Sequence, residues 1–151
     1  SYIMKKEFVT PLKEKLISYE TAKLAKEKGF KNACDCFVNK DNEYIFMPDL
    51  LYPNNSEFTY DPENDPEVIE WEELMKTLAL APTQSLLQKW LREVHEISIK
   101  IDDYYTYSRV RFDYNICELG SQEDNPVGVF ETYEEALETG LQEALKLIKN
   151  S

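Results

Sequence analysis

The sequence predicts an α+β protein in which amphipathic helices cover an antiparallel sheet built from hairpins. Three observations lead to this fold class. Short segments in which apolar and polar residues alternate occur in pairs joined by polar turns, as in β-hairpins. Between them, apolar residues recur at steps of three and four, as in helices that pack on one side. No internal repeat divides the chain, so its 151 residues (1–151) are expected to form one domain.

The first predicted helix covers residues 19–28. Ser18 offers a side-chain oxygen as N-cap, and Gly29 offers the left-handed residue with which many helices end. Two β-prone segments follow at residues 34–38 and 43–47. The polar tetrad between them predicts a hairpin.

Residues 49–65 form a long irregular acidic loop in this prediction, because prolines and asparagines interrupt every regular pattern. The dipeptide Asp65-Pro66 then has the chemistry of an N-cap and a first-turn proline, which favours a helix over residues 66–78. An extended conformation over residues 78–80 is the alternative, because a proline follows closely and disfavours helix before it.

The second half of the chain gives the strongest patterns. A clearly amphipathic helix is predicted over residues 83–95, since its apolar residues fall on one stripe. Residues 97–102 and 107–116 then alternate between apolar and polar side chains, with a turn expected over residues 102–106. These two segments predict an antiparallel hairpin, and residues 127–130 predict a short third strand.

The last predicted helix covers residues 133–149. Thr132 and Glu135 form a capping box, in which each side chain accepts a hydrogen bond from a free backbone amide of the first turn. The apolar stripe of this helix contains alanines and Gly140, and such small residues predict a close approach to a sheet or another helix.

The charge of the chain excludes several classes of partner. Lysine and arginine number 17 and aspartate and glutamate number 29, so the formal net charge is −12. A chain this acidic repels phosphate backbones and anionic lipid, which argues against direct nucleic-acid or membrane binding. Only 4 glycines are present, which leaves no glycine-rich phosphate loop. No apolar run approaches the ~20 residues that span a bilayer.

The cysteines indicate a reducing compartment. The chain has an odd number of cysteines, namely Cys34, Cys36 and Cys117, which does not indicate a disulfide framework. A disulfide between Cys34 and Cys36 would be strained, because the two residues lie only two positions apart. Reduced thiols in the cytoplasm are therefore expected. Their spacing together with His95 matches no zinc pattern. Met4 is a candidate natural start.

No catalytic, metal-binding or cofactor-binding residue is predicted. His95 is the single histidine, and it lies at the end of a predicted helix. A protonated histidine in this position stabilises the helix by its interaction with the helix dipole. Asp61, Glu63 and Asp65 alternate as in a calcium loop. Pro66 stands in the sixth place, where a glycine is needed for the sharp turn, so an EF-hand is not expected.

Tyrosines give the clearest functional signal. They offer rigid amphipathic contact area and are enriched at protein interfaces, although several are also needed to close a small core. A candidate interaction surface contains Tyr52, Tyr60, Tyr104, Tyr105 and Tyr107. Together with the acidic charge, these tyrosines predict a non-enzymatic module that binds another protein.

Two segments carry a resemblance to a known group. The first runs from LAPT (80–83) through WLRE (90–93) into HEI (95–97), and the second runs from TYEEALE (132–138) to ALKLI (144–148). Together they resemble small acidic proteins of gut Bacteroidetes and their phages or prophages. Gln84 departs from that group, where an aromatic residue often follows the threonine. The resemblance implies a bacterial or phage cytoplasmic origin and a single compact domain, and it transfers no catalytic residue.

Three alternatives stay open at this point. One is a small enzyme whose pocket combines carboxylates, tyrosines and Arg109 or Arg111. Another is an acidic mimic of nucleic acid that blocks a basic cleft, which requires carboxylates spaced like phosphates on one face. A third is a homodimer formed through the edge strand over residues 127–130.

Overall fold

The computed structural model has the predicted α+β fold and describes residues 14–32, 34–46, 73, 76–118, 120 and 125–149. Within these ranges the chain forms three helices and six strands. In chain order they are α1 (Tyr19–Glu27), β1 (Cys36–Val38), β2 (Tyr44–Phe46), β3 (Ala79–Leu80), α2 (Gln84–His95), β4 (Ile97–Thr106), β5 (Arg109–Glu118), β6 (Val127–Phe130) and α3 (Tyr133–Leu147).

Helix α1 begins and ends where its capping residues predict. The Ser18 hydroxyl accepts a hydrogen bond from the Thr21 amide at 3.4 Å. After the helix, Gly29 has a φ of 95°, a conformation that glycine adopts without steric cost. The predicted helix over 19–28 is therefore confirmed to within one residue.

The first sheet is small and has the order β2-β1-β3. Strands β1 and β2 form the predicted antiparallel hairpin, whose turn is held by Asn39. Its side-chain oxygen accepts hydrogen bonds from the amides of Asp41 and Glu43, each at 3.0 Å. Strand β3 pairs with β1 on the other side, which confirms the extended alternative for the residues before Pro82.

Two sequence predictions lie largely or wholly outside the described residues. The acidic loop over 49–65 falls there completely. The helix predicted over 66–78 is described only at Glu73 and from Lys76 onward, and both of these residues are helical.

The second sheet has the order β4-β5-β6 and corrects the predicted position of a turn. Strands β4 and β5 are paired without interruption from Ile97 opposite Glu118 to Thr106 opposite Arg109. The turn is formed by the two residues 107–108, so the turn predicted over 102–106 is wrong and those residues continue the strand. The predicted strands also divide between two sheets, because β3 rather than the long hairpin pairs with β1.

Helix α3 covers one face of the second sheet at unusually close range. The Thr132 hydroxyl caps it by accepting a hydrogen bond from the Glu135 amide at 3.1 Å. A Cβ atom placed on Gly140 would lie 3.0 Å from Ile99 Cγ2 and 3.3 Å from Tyr114 Cβ. The predicted close approach of this helix to a sheet is therefore confirmed.

The main core lies between the three helices and both sheets. Phe30, which follows α1, packs edge-on against Trp90 of α2, with the ring centroids 5.3 Å apart. The Gln88 side chain of α2 donates a hydrogen bond to the Ile99 carbonyl at 2.9 Å and so covers part of β4. The largest fully buried apolar side chains of this core include Ile17, Val38, Leu87, Leu91, Leu141 and Leu145.

Candidate functional site

Strands β4 and β5 form a long antiparallel hairpin, which we call the ribbon. One face of the ribbon carries apolar side chains both inside the core and beyond it. Near the start of β4, Ile97 and Ile99 are buried on the face that α3 covers. Side chains two residues apart share a face of a strand, so Tyr105 lies on this same face near the end of β4. It stands opposite Val110 of β5, and 80% of its surface is exposed. A face that forms the core at one end of the ribbon is thus open at the other.

Aromatic side chains from three elements extend this open region. Phe112 of β5 lies next to Val110 on the same face and opposite Phe130 of β6. Tyr133, the first residue of α3, packs edge-on against Phe112 with the ring centroids 6.2 Å apart, and it stays 44% exposed. We call Tyr105, Val110, Phe112, Phe130 and Tyr133 the aromatic face.

Carboxylates surround the aromatic face. Asp103 is exposed, lies on the same side of the ribbon as Tyr105, and is paired opposite Phe112. Glu131 and Glu134 flank Tyr133 in the chain and are both exposed. Negative charges therefore lie near the apolar surface.

The structure separates the tyrosines that the sequence grouped together. Tyr105 belongs to the aromatic face, whereas Tyr104 points to the opposite face of the ribbon, where it is paired with Arg111. Tyr107 occupies the turn and is fully exposed. Tyr52 and Tyr60 lie outside the described residues.

The turn at the tip of the ribbon has an unusual backbone. Tyr107 has a positive φ of 21°, which a glycine adopts more readily than a tyrosine. Beside the turn, the Thr106 hydroxyl donates a hydrogen bond to the Arg109 carbonyl at 3.3 Å. A large aromatic side chain is thus held in solvent on a backbone that does not favour it, and such outliers concentrate at functional positions.

His95 is positioned by the core and stands apart from the aromatic face. It is the last residue of α2, as predicted, and its ring packs edge-on against Trp90 with centroids 4.6 Å apart. Its Nε2 atom is buried without a hydrogen-bond partner among the described residues. The depression around it is lined by Glu96, Glu118 and Lys149 in addition to apolar groups, and none of the described residues that line it carries a thiol or a hydroxyl.

Cys34 and Cys36 have the properties of unreactive thiols. All three cysteines are free. Burial raises the pKa of Cys34 and that of Cys36 above the ordinary value of 9.0, and the nearby Asp35 carboxylate acts in the same direction. Reactive thiols have lowered pKa values, so neither residue has the setting of a nucleophile. Across the described ranges, no group of three or more His, Cys, Asp or Glu side chains is arranged to hold a metal.

Arg109 and Arg111 lie on the other face of the ribbon from Tyr105. Both belong to the face of the ribbon opposite the aromatic face, together with Tyr104 and Asp113. On this face Lys100 Nζ lies 3.6 Å from an Asp102 carboxylate oxygen, and both side chains are largely exposed. The arginines therefore belong to an open surface of mixed charge.

A polar network around Glu138 escaped the sequence analysis. The Glu138 carboxylate accepts hydrogen bonds from the amide and the hydroxyl of Ser18, each at 3.2 Å, and from the Thr21 hydroxyl. Its other oxygen accepts from the Gln84 side-chain amide at 3.0 Å. Gln142 donates to the Thr21 hydroxyl at 3.0 Å. The network joins the first turns of α1 and α2 to the middle of α3.

This network is structural in character. Each oxygen of the Glu138 carboxylate already accepts from side chains or backbone that the fold holds in place, so it is not placed to take a proton from a substrate. One signal was present in the sequence. The third position of α1 holds Thr21 instead of the glutamate of a capping box, which leaves the Ser18 amide to be satisfied by another part of the chain.

Comparisons with known proteins add no relative, since no family model, no curated protein and no solved structure matches the chain. Within the ranges given above, no helix combines the length and the apolar character that a membrane crossing requires.

Proposed function

We propose that this protein is a non-enzymatic binding or accessory module that holds another protein on its aromatic face. The observation that carries the proposal is the exposure of Tyr105 and Tyr133 on a surface continuous with the core. Aromatic side chains that are already ordered lose little conformational entropy on binding, and they dominate the energetics of protein interfaces. The strained backbone at Tyr107 supports the same surface.

The charges around the aromatic face indicate the kind of partner. Asp103 and Glu134 border it, and the whole chain carries a net charge of −12. A partner segment with apolar residues flanked by lysine or arginine is complementary to this surface. A second copy of this acidic chain would be repelled, so a different protein is favoured over a homodimer.

The edge strand β6 gives further support to a heterotypic partner. Its pairing with β5 contains a register shift, and Gly128 has a φ of 91° at this irregularity. Bulges and short lengths are devices that prevent edge strands from pairing with other chains. Dimerisation through this strand is therefore the less favoured alternative.

The cellular setting is part of the proposal. We place the protein in the cytoplasm of a gut bacterium, with a phage or another mobile element as its origin. Reduced cysteines support the compartment, and the resemblance of the two helical segments supports the origin. The natural partner in this setting is a host or phage protein with a basic apolar segment.

Photo-crosslinking tests the proposed surface. A photoreactive phenylalanine is placed at position 105 or, as the matched control, at position 104 on the opposite face, and each protein is irradiated in lysate of a gut Bacteroides strain. We expect position 105 to crosslink a specific protein whose yield falls as salt increases, and position 104 to give little of it. Equal yields from both positions, or no specific adduct at 105, would overturn the proposal.

A second variant separates binding from stability. Tyr107→Gly removes an exposed aromatic side chain at the tip of the ribbon and also relieves the backbone at the turn. We therefore expect this variant to unfold at the same temperature as the parent or higher, while crosslinking from position 105 becomes weaker. Unchanged crosslinking would show that the tip does not take part in binding.

A further inference from the structure

A cavity of about 420 Å³, open to solvent, lies between α1 and the first sheet. Its walls include Ala22 of α1, Phe30, Phe37 of β1 and Leu80 of β3. Ala22, Phe30 and Phe37 are buried residues of the protein interior, so the walls are ordered by packing. The volume lies within the range of small-molecule sites, which is roughly 300–1,000 Å³.

The mouth of the cavity is basic, in contrast to the rest of the chain. Lys26 and Lys31 line it, and no carboxylate occurs among the described residues around it. The Lys26 ammonium donates a hydrogen bond to the Leu78 carbonyl at 3.4 Å, which holds the charge beside the opening. In a protein with a net charge of −12, this is a local reversal of sign.

We propose that the cavity binds a small amphipathic anion, of the class of a medium-chain carboxylate. Its apolar chain would lie against Phe30, Phe37 and Leu80, because burying apolar surface is favourable at about 25 cal/mol per Å². Its negative head would stay at the mouth, where Lys26 and Lys31 donate charge-assisted hydrogen bonds. The proposal does not rest on the aromatic face or on the nature of the protein partner.

The overall charge of the protein provides a sharp test of the head group. Nonspecific attraction by an acidic protein favours a cation over an anion. Only the two lysines at the mouth predict the reverse preference. Octanoate, octylammonium and 1-octanol share one apolar chain and differ in the charge of the head, so they separate the effect of the lysines from that of the apolar walls.

The experiment is a titration of the ¹⁵N-labelled protein with each of these three compounds, followed by amide NMR spectra. We expect octanoate to shift the amides of Ala22, Phe37 and Leu80 saturably, with a Kd at least about fivefold lower than that of octylammonium. Lys26→Gln and Lys31→Gln should each weaken octanoate about two- to fivefold, as expected for exposed ion pairs. Lys100→Gln changes a lysine of β4 that does not line the cavity, so it should leave the Kd unchanged.

Any one of the following results overturns the proposal. Shifts that do not saturate, or that spread over the whole spectrum as in unfolding by a detergent, exclude a defined site. Equal affinity for octanoate and octylammonium, or no loss in Lys26→Gln and Lys31→Gln, excludes a role of the lysines. Equal affinity for 1-octanol identifies an apolar cavity without preference for an anion.

Discussion

Removing the charge of Glu138 tests the network that joins the three helices. In Glu138→Gln, the side chain keeps one acceptor oxygen where the carboxylate had two. If this oxygen stays beside Ser18 and Thr21, the new amide nitrogen faces the amide nitrogen of Gln84, and that hydrogen bond is lost. The remaining bonds change from charge-assisted to neutral.

The magnitude follows from the hydrogen bonds that change. A hydrogen bond to a charged group contributes ~1.5–3 kcal/mol and a neutral one ~0.5–1.5 kcal/mol, so each retained bond weakens by about 1 kcal/mol. The bonds share one acceptor and are only partly buried, so their losses do not add fully. We expect Glu138→Gln to lower the free energy of unfolding by about 2–3 kcal/mol. For an m-value of about 2 kcal/mol/M, the urea midpoint falls by about 1 M.

Glu143→Gln is the matched control on the same helix. Glu143 accepts one hydrogen bond from Lys146 at 3.0 Å, and the two side chains are 44% and 56% exposed. Exposed pairs of this kind contribute about 0.3–0.5 kcal/mol, so the midpoint should move by less than about 0.3 M. If Glu138→Gln changes the midpoint no more than Glu143→Gln does, the network does not stabilise the fold and the reasoning is wrong.

Three further predictions concern packing and pH. Gly140→Val should lower the free energy of unfolding by about 1–3 kcal/mol, because its side chain would meet the sheet at contact distance, and an unchanged urea midpoint would refute the close approach. Gly128→Ala should lower the free energy of unfolding by about 1–3 kcal/mol, because its φ is 91° and a Cβ atom there would overlap the ring of Phe130. The thermal midpoint of this variant measures the effect, and a midpoint equal to that of the parent contradicts this explanation. The raised pKa values of Cys34 and Cys36 mean that the unfolded chain loses these protons first as pH rises. The two thiols should therefore leave stability unchanged below about pH 8 and lower it above about pH 9, and a Cys34→Ala, Cys36→Ala variant should lose less stability between about pH 8 and 10 than the parent.

The two long helices were predictable because each carries a dense apolar stripe with a capping threonine at its start. Thr132 caps as predicted, and Thr83, which the prediction placed inside the helix, caps in the same way; each accepts a hydrogen bond from the third amide that follows. In such segments, helix propensity, capping and periodicity all predict the same helix, so the tertiary contacts do not change the secondary structure.

The tip of the ribbon was misplaced because its turn lacks the usual residues. A two-residue hairpin turn favours Asn-Gly or Asp-Gly, whereas this chain uses Tyr107 and Ser108. The polar residues over 102–106 therefore had the composition of a turn, although the uninterrupted pairing with β5 keeps them extended. The face on which Tyr104 and Tyr105 lie depends on this register, so the sequence could identify the tyrosines but not the surface that they form.

Contacts between distant parts of the chain could not be predicted, because they leave no local pattern in the sequence. Strand β3 has two residues, too few for any periodicity, and only its pairing with β1 makes it a strand. Asn115 has a polar position in the alternating pattern of β5, yet it is buried, and its side-chain oxygen accepts a hydrogen bond from the Asn125 amide at 3.3 Å. The Ser18–Glu138 contact joins residues 120 positions apart.

The ribbon beyond Ile101 has a consequence for how this protein can change. Its outer half is anchored by the paired backbone of β4 and β5, while the residues that fill the interior lie near the start of β4 and the end of β5. Side chains at the tip can therefore be exchanged, in evolution or by design, with little effect on the folded state. The hairpin end is therefore a natural position for grafting new recognition sequences.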